Sequence, residues 1–157
     1  MRILGVDPGT GILGFGVIDV DQKGKAKLVD GGTIHTPKED SDSARLLTIY
    51  DELKSVIVSH KPEAASVEKL FFAQNVTTAI TVSQARGVVL LLCEQHNLKV
   101  YEYTPLQIKQ ALTGYGRAEK KQIQEMVKVI LNLDTIPQPD DCADALAAAI
   151  TCSMNMR

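Results

Sequence analysis

Short apolar runs separated by turns occupy the first part of the chain, a pattern that is typical of a β-meander. Residues 2–6 form an apolar run that ends in an Asp-Pro-Gly turn. Residues 15–20 predict a second strand, and residues 26–29 with 33–36 predict a third that two glycines interrupt. The segment 21–24 has the composition of a hairpin turn. We therefore expect three neighbouring antiparallel strands.

The rest of the chain alternates helical periodicity with two further strand patterns. The predicted elements are a helix capped by Asp40, Ser41 or Asp42 and ending before Pro62, a strand at 64–68, a helix at 76–96, a strand at 99–103, a short helix at 105–114, and helices at 118–131 and 140–154. The helix at 76–96 is apolar over most of its circumference, so we expect it to be buried. This order predicts one mixed α/β layer structure.

Composition excludes several classes of protein. The 157 residues fit one domain, and no apolar run approaches the roughly 18 residues of a membrane span. The chain reaches an acid at Asp7, which leaves no room for the apolar region of a signal peptide, so we expect a cytoplasmic protein. Cys93, Cys142 and Cys152 are odd in number and lack metal-ligand spacing, which predicts reduced, structural thiols.

Net charge alone does not decide whether the partner is a nucleic acid. The chain carries 17 basic and 19 acidic residues, a net charge of −2, whereas nucleic acids favour basic proteins. Residues 99–128, however, hold six basic and three acidic side chains, a local charge of +3. If four acids bind metal ions, the total without them is +2, so the distribution leaves a nucleic-acid partner open.

Four acids lie at positions where a carboxylate is either costly to bury or held on one face of a helix. Asp7 and Glu68 each follow directly on an apolar strand, and Asp141 and Asp144 share one face at the start of the last helix. Each also has a simpler interpretation: a turn residue for Asp7, an ion pair with Lys69 for Glu68, and a favourable helix dipole for the last two. The residues alone leave both interpretations open.

If the four acids converge, their chemistry indicates a metal site. All four offer oxygen ligands, which suit Mg²⁺ or Mn²⁺ rather than zinc. Clustered carboxylates repel one another unless a cation lies between them. Two such ions about 3.5–4 Å apart stabilise the attacking and leaving oxygens of phosphoryl transfer. Asp140, the acid that precedes Asp141, is interpreted as the helix cap.

Five short segments in a fixed order are distributed over nearly the whole chain. They are residues 7–10 (DPGT) with 14–18 (GFGVI), 68–71 (EKLF), 84–87 (QARG), 114–122 (GYGRAEKKQ) and 141–146 (DCADAL). In this order and at these spacings they resemble the RuvC family of bacterial Holliday-junction resolvases. The Asp-Pro-Gly segment alone is a weak signal, whereas five ordered segments are a strong one.

The resemblance implies a ribonuclease-H-like fold, a five-stranded mixed sheet flanked by helices, in a single nuclease domain over residues 1–157. It implies a homodimer that resolves four-way DNA junctions by symmetric nicks in strands of like polarity. Asp7, Glu68, Asp141 and Asp144 would be the catalytic, metal-binding acids. The cofactor would be Mg²⁺, two ions per site with Mn²⁺ as a substitute, and metal-activated water would be the nucleophile.

The resemblance also assigns DNA contacts and partners. Phe71 matches an aromatic that stacks on an unpaired base, although core packing is the alternative and Phe72 could exchange roles with it. Lys109 and Lys120 match basic residues near the scissile phosphate, the alternative being a solvated helix face. Arg117 and Lys121 are further candidate phosphate contacts. The helix at 76–96 matches the dimer helix, and the proteins RuvA and RuvB would be partners.

The sequence departs from the family pattern after Gly9. The family often has a basic residue and a threonine in the stretch where this chain has Gly11, Leu13 and Phe15, so local DNA contacts and base preference are in doubt. Cys152 stands where the family often has histidine. Two rival functions stay open, a catalytically silent junction binder and a nuclease of RNA–DNA hybrids, while an actin-like ATPase needs a longer chain.

Overall fold

The computed structural model describes residues 1–69 and 76–156. The order of elements is the predicted one. The strands are β1 (Arg2–Asp7), β2 (Ile12–Val20), β3 (Ala26–His35), β4 (Ala64–Glu68) and β5 (Lys99–Tyr103). The helices are α1 (Asp42–His60), α2 (Val76–Gln95), α3 (Pro105–Thr113), α4 (Lys120–Leu131) and α5 (Asp140–Asn155).

The five strands form one mixed sheet in the order β3-β2-β1-β4-β5. The first three strands are antiparallel, which confirms the predicted meander, and β1, β4 and β5 run parallel to one another. Strand β1 therefore lies at the centre, with the end of β4 beside its own end. The predicted five-stranded mixed sheet flanked by helices is confirmed.

Helices cover both faces of the sheet and form two cores. Along β1 the side chains alternate: Leu4 and Val6 pack with α1 and α2, whereas Ile3 packs with α3, α4 and α5. In the described parts of the chain, no helix has the length and apolarity that crossing a membrane requires. Cys93, Cys142 and Cys152 are buried and free, as predicted.

Helix α5 lies unusually close to the sheet because both surfaces consist of small residues. A Cβ added at Gly5 would overlap the carbonyl oxygen of Ala145, and one at Gly16 would meet the side chain of Leu146. On the helix side the buried residues include four alanines besides Ala145. This close approach sets the position of the first turn of α5 relative to the end of β1.

Two details differ from the sequence prediction. Strand β3 is continuous through its two glycines, and the irregularity lies two residues before the first of them, where Val17 pairs with Asp30 but Ile18 pairs with Leu28. Val29 is therefore the extra residue of a β-bulge. Helix α2 is less buried than expected, since Ile80 and Leu91 are 56% and 53% exposed.

Candidate active site

Asp7 and Glu68 lie side by side at the ends of β1 and β4. The parallel register pairs Val6 with Val67, so the next residue of each strand is one of the two acids. Side chains alternate along a strand, and Ser66 donates a hydrogen bond to the carbonyl oxygen of Ala148 on α5. Glu68, two residues further on, is thus on the α5 side of the sheet, and Asp7 shares that side.

The first two turns of α5 bring Asp141 and Asp144 to the same edge. Gly14 pairs with Asp7 across β1 and β2. A Cβ added at Gly14 would overlap the backbone carbonyl of Asp141 and lie 3.1 Å from its Cβ. The glycine therefore lets the helix start directly over the strand next to Asp7. Asp144 lies on the same face of α5 one turn later.

The charges of the other three acids reach Asp7. Burial raises the pKa of the Asp7 carboxyl from 3.8 to about 7, and the carboxylates of Glu68, Asp144 and Asp141, in that order, add to the increase. Lys120 opposes the shift. Acids from three separate elements, β1, β4 and α5, thus act on one another through space, as expected of a converging site.

Glu68 and Asp144 have raised pKa values for similar reasons. Burial is the largest cause for each, and the charge of Asp144 also raises the pKa of Glu68. Lys120 and Lys109 lower the pKa of Glu68, while a hydrogen bond from Lys120 lowers that of Asp144. The site is a pocket of negative charge with two lysines at its border.

Lys120 joins two carboxylates of α5. Its Nζ lies 2.9 Å from Asp144 Oδ2 and 3.4 Å from Asp140 Oδ2. Burial lowers the pKa of Lys120, but the hydrogen bonds to Asp144 and Asp140 outweigh it and the net shift is upward. Asp140 also accepts a hydrogen bond of 2.9 Å from Nε2 of the buried Gln124.

Asp140 is not the helix cap that the sequence predicted. Pro139 occupies the cap position, no side chain caps the helix, and Asp140 is its first residue. Its carboxylate points to Lys120 and Gln124 instead. The pattern around Asp140 did not predict this role, although Gln124 stands as a polar residue among the buried positions of α4.

A cavity of about 220 Å³ connects the acids with the basic residues. Its lining includes Glu68 and Asp144 together with Lys109 and Lys120, and its floor is apolar. Lys109 comes from α3, where a capping box at Thr104 and Gln107 starts the helix and Gly114 ends it. The structure therefore brings both lysines to the acids, as the resemblance implies.

Arg117 and Lys121 do not join this group. Both are exposed, and Lys121 lines a separate groove with Glu119, Gln122 and Glu125. Among the side chains that the structure describes, neither residue lines the cavity beside the acids. Phe71, with its neighbour Phe72, lies outside the described residues, so its assignment as a stacking residue stays a prediction.

The donor set fits a hard divalent cation. All the carboxyl groups of the cluster offer oxygen, and their mutual repulsion, visible in the raised pKa of Asp7, is what a cation among them would relieve. Within residues 1–69 and 76–156, no three metal-binding side chains are arranged closely enough to enclose an ion. Lys120 instead supplies the positive charge next to Asp144.

The chain is similar in sequence to a family of known proteins. The model of the family described as "Crossover junction endodeoxyribonuclease RuvC" matches residues 3–152. Proteins of that name from Petrotoga mobilis and Caldicellulosiruptor saccharolyticus are 54% and 52% identical to the chain. The Petrotoga alignment covers 100% of this chain and 95% of its relative, and the Caldicellulosiruptor alignment covers 96% and 90%.

Solved structures give the same result for the fold. The structure of Thermus thermophilus RuvC in complex with a Holliday junction substrate matches with a TM-score of 0.95 at 38% identity. The match covers 100% of this chain and 95% of that chain. A fowlpox virus Holliday junction resolvase shares the fold at 14% identity, with a TM-score of 0.58. The architecture is therefore the ribonuclease-H-like one that the family resemblance implied.

Proposed function

Because the chain belongs to the RuvC family of crossover junction endodeoxyribonucleases, we propose that it resolves four-way DNA junctions at the carboxylate cluster described above. The observation that carries this proposal is the convergence of the acids: Asp7 and Glu68 follow on paired residues of β1 and β4, and Gly14, which pairs with Asp7, lies against the start of α5 that carries Asp141 and Asp144. Such a cluster is costly to a fold and is typical of a site for metal-assisted phosphodiester hydrolysis.

The residues divide the chemistry between them. Asp7, Glu68, Asp141 and Asp144 would hold Mg²⁺, which when bound supplies an activated water and neutralises charge on the phosphate. We propose two ions per site, with Mn²⁺ able to replace them. Lys120, beside Asp144, would stabilise the negative charge that develops on the scissile phosphate.

Lys109, Arg117 and Lys121 complete the proposed DNA contacts. Lys109 lines the cavity with Glu68 and would bind a phosphate next to the scissile one. Arg117 and Lys121 are exposed outside the cavity and would contact more distant phosphates. Phe71 would stack on an unpaired base near the junction centre, where stacking is worth about 1–3 kcal/mol.

Paired nicks need two sites, and α2 offers a surface for pairing. Ile80 and Leu91 are exposed on this helix three turns apart, and exposed apolar residues on one helix favour association. We propose that two copies of the chain, each a single nuclease domain, associate through α2 and cut strands of like polarity. We further propose action in the cytoplasm together with the branch-migration proteins RuvA and RuvB.

A panel of substrates tests the proposal. A synthetic four-way junction, a linear duplex of the same sequence and an RNA–DNA hybrid are each incubated with Mg²⁺, with Ca²⁺ and without metal. We expect paired, symmetric nicks in the junction alone and with Mg²⁺ alone. Junction binding without cutting under every condition would favour a silent binder, and cutting of the hybrid instead would keep the fold but replace the substrate.

A further inference from the structure

Arg45 forms a cluster with two threonines beside the turn that follows Asp7. Its Nε donates a hydrogen bond of 2.9 Å to Thr36 Oγ1, and Thr36 in turn donates to the carbonyl oxygen of Thr10. The backbone N–H of Thr36 also donates to the carbonyl oxygen of Gly11. Both threonines are buried, so the guanidinium is held at a fixed place by groups that are themselves fixed.

The cluster lies at the edge of the sheet where the carboxylates lie. Strand β1 ends at Asp7, and the turn to β2 passes through Thr10 and Gly11. Strand β3 returns to the same edge, since His35 pairs with Ile12 at the start of β2. Arg45, in the first turn of α1, reaches this edge on the face opposite α5. A DNA backbone that crosses the edge to reach Asp7 would pass the guanidinium.

Gly11 leaves room in front of the guanidinium. A Cβ added at Gly11 would lie 3.4 Å from the terminal nitrogen of Arg45. The terminal nitrogen of Arg45 therefore lies in van der Waals contact with the point at which a side chain on residue 11 would begin. The sequence thus departs from the family pattern at Gly11, and Arg45 of α1 supplies a basic group beside that position.

The guanidinium has donors to spare. Across residues 1–69 and 76–156, Arg45 pairs with no carboxylate, although Glu39, Asp40 and Asp42 lie in the segment just before it. Its one described side-chain hydrogen bond uses Nε, and the terminal nitrogens of a guanidinium offer the parallel donors that fit a phosphate. The hydroxyl of Thr10 is also buried without a described partner.

We propose that Arg45 binds a phosphate of the junction backbone on the side of the sheet opposite α5, and so positions the strand for cutting at Asp7. This inference rests on the proposed function. The ligand is a phosphodiester of the DNA backbone other than the scissile one. The contact reads no base directly, so its loss weakens binding to all junction sequences alike.

The test compares full-length wild-type protein with Arg45→Gln in metal-free buffer, where the affinity for a fluorescent four-way junction is measured at several salt concentrations. Each phosphate contact contributes about 0.9 to the slope of log K against log salt. We expect roughly tenfold weaker binding by the variant and a slope that is shallower by about 1–2 for a dimer. Lys54→Gln removes one charge from the same helix, farther from the edge, and is the matched control.

A second variant separates binding from a purely structural role. Arg45→Gln combined with Gly11→Arg returns a guanidinium to the same space from the other side, and should recover affinity and salt slope without restoring the Thr36 hydrogen bond. Equal affinity and slope for wild type and Arg45→Gln would overturn the inference, as would a change in melting temperature alone. If wild-type protein cuts the junction in either case, the proposed function stands independently of this result.

Discussion

The ammonium of Lys120 lies 2.9 Å from the carboxylate of Asp144. Asp140 Oδ2 lies 3.4 Å from the same ammonium, and Gln124 donates a hydrogen bond to Asp140. The first turn of α5 thus carries both an acid of the cluster and the acid that positions a lysine beside it. Since α4 supplies Lys120 and Gln124, the packing of α4 on α5 decides where this positive charge stands.

Lys120 and Lys121 are adjacent in sequence but differ in position, which gives a first prediction. Lys120→Gln should lower the single-turnover rate of junction cutting by about 10²-fold, the usual effect of removing one group that stabilises transition-state charge. Lys121→Gln, on a separate groove, should stay within a few-fold of wild type. A comparable loss of cutting rate in both variants would show that the position of Lys120 beside Asp144 does not matter for the reaction.

The close contact between Gly14 and the backbone at the start of α5 gives a second prediction. Gly14→Ala places a methyl group into the backbone carbonyl of Asp141 and should cost about 1–3 kcal/mol of unfolding free energy together with most of the cutting rate. Gly11→Ala lies in the same hairpin with ordinary contacts and should unfold like wild type. Denaturant titration measures both, and equal stability would refute the close approach.

A third prediction concerns Asp7 in metal-free protein. In an unfolded chain an aspartate has a pKa near 3.9, whereas the pKa of folded Asp7 is about 7. Ionisation of Asp7 therefore destabilises the fold, increasingly between pH 4 and 7 and by a constant amount above. Asp7→Asn removes this cost.

In EDTA the melting temperature of Asp7→Asn should thus exceed that of wild type by several degrees at pH 8, since about 2–4 °C corresponds to 1 kcal/mol in a chain of this size. The difference should vanish near pH 4. Added Mg²⁺ should raise the melting temperature of wild type at pH 8 and leave the variant nearly unchanged. A difference that is equal at both pH values would contradict the burial of charge at Asp7.

The surface of α2 gives a fourth prediction. Leu91→Glu puts a charge into the proposed dimer interface and should shift the chain from dimer to monomer in sedimentation experiments. Val129→Glu changes an equally apolar residue on α4 that is 66% exposed and should leave the dimer intact. If both variants remain dimeric, Leu91 does not lie in the dimer interface.

The sequence predicted the order of elements because apolar periodicity is a local pattern, whereas the residues alone left the role of the four acids open and the family resemblance assigned it. Apolar periodicity predicted the strands that end at Asp7 and Glu68, and the spacing of Asp141 and Asp144 predicted a shared helix face. Their convergence depends on the parallel pairing of β1 with β4 and on glycines that admit α5, and the pattern alone left that pairing open.

Features that depend on contacts between distant elements escaped prediction. Asp140 has the composition of a cap, but the positions of Lys120 and Gln124, fixed by the packing of α4, decide its partners. Arg45 has no local sequence feature that separates it from a surface arginine. Its proposed role follows only from its contacts with Thr36 and Gly11 in the fold. Exposure of Leu91 likewise depends on what the rest of the fold leaves uncovered.

The most direct test of the central claim is the cutting of a four-way junction by Asp7→Asn, with junction binding measured on the same sample. Binding rests on phosphate contacts, so the variant should bind at least as tightly as wild type and produce no detectable nicks with Mg²⁺. Asp51→Asn, an exposed acid on α1, should cut normally. Nicking by Asp7→Asn at close to the wild-type rate would contradict the assignment of the four-carboxylate site.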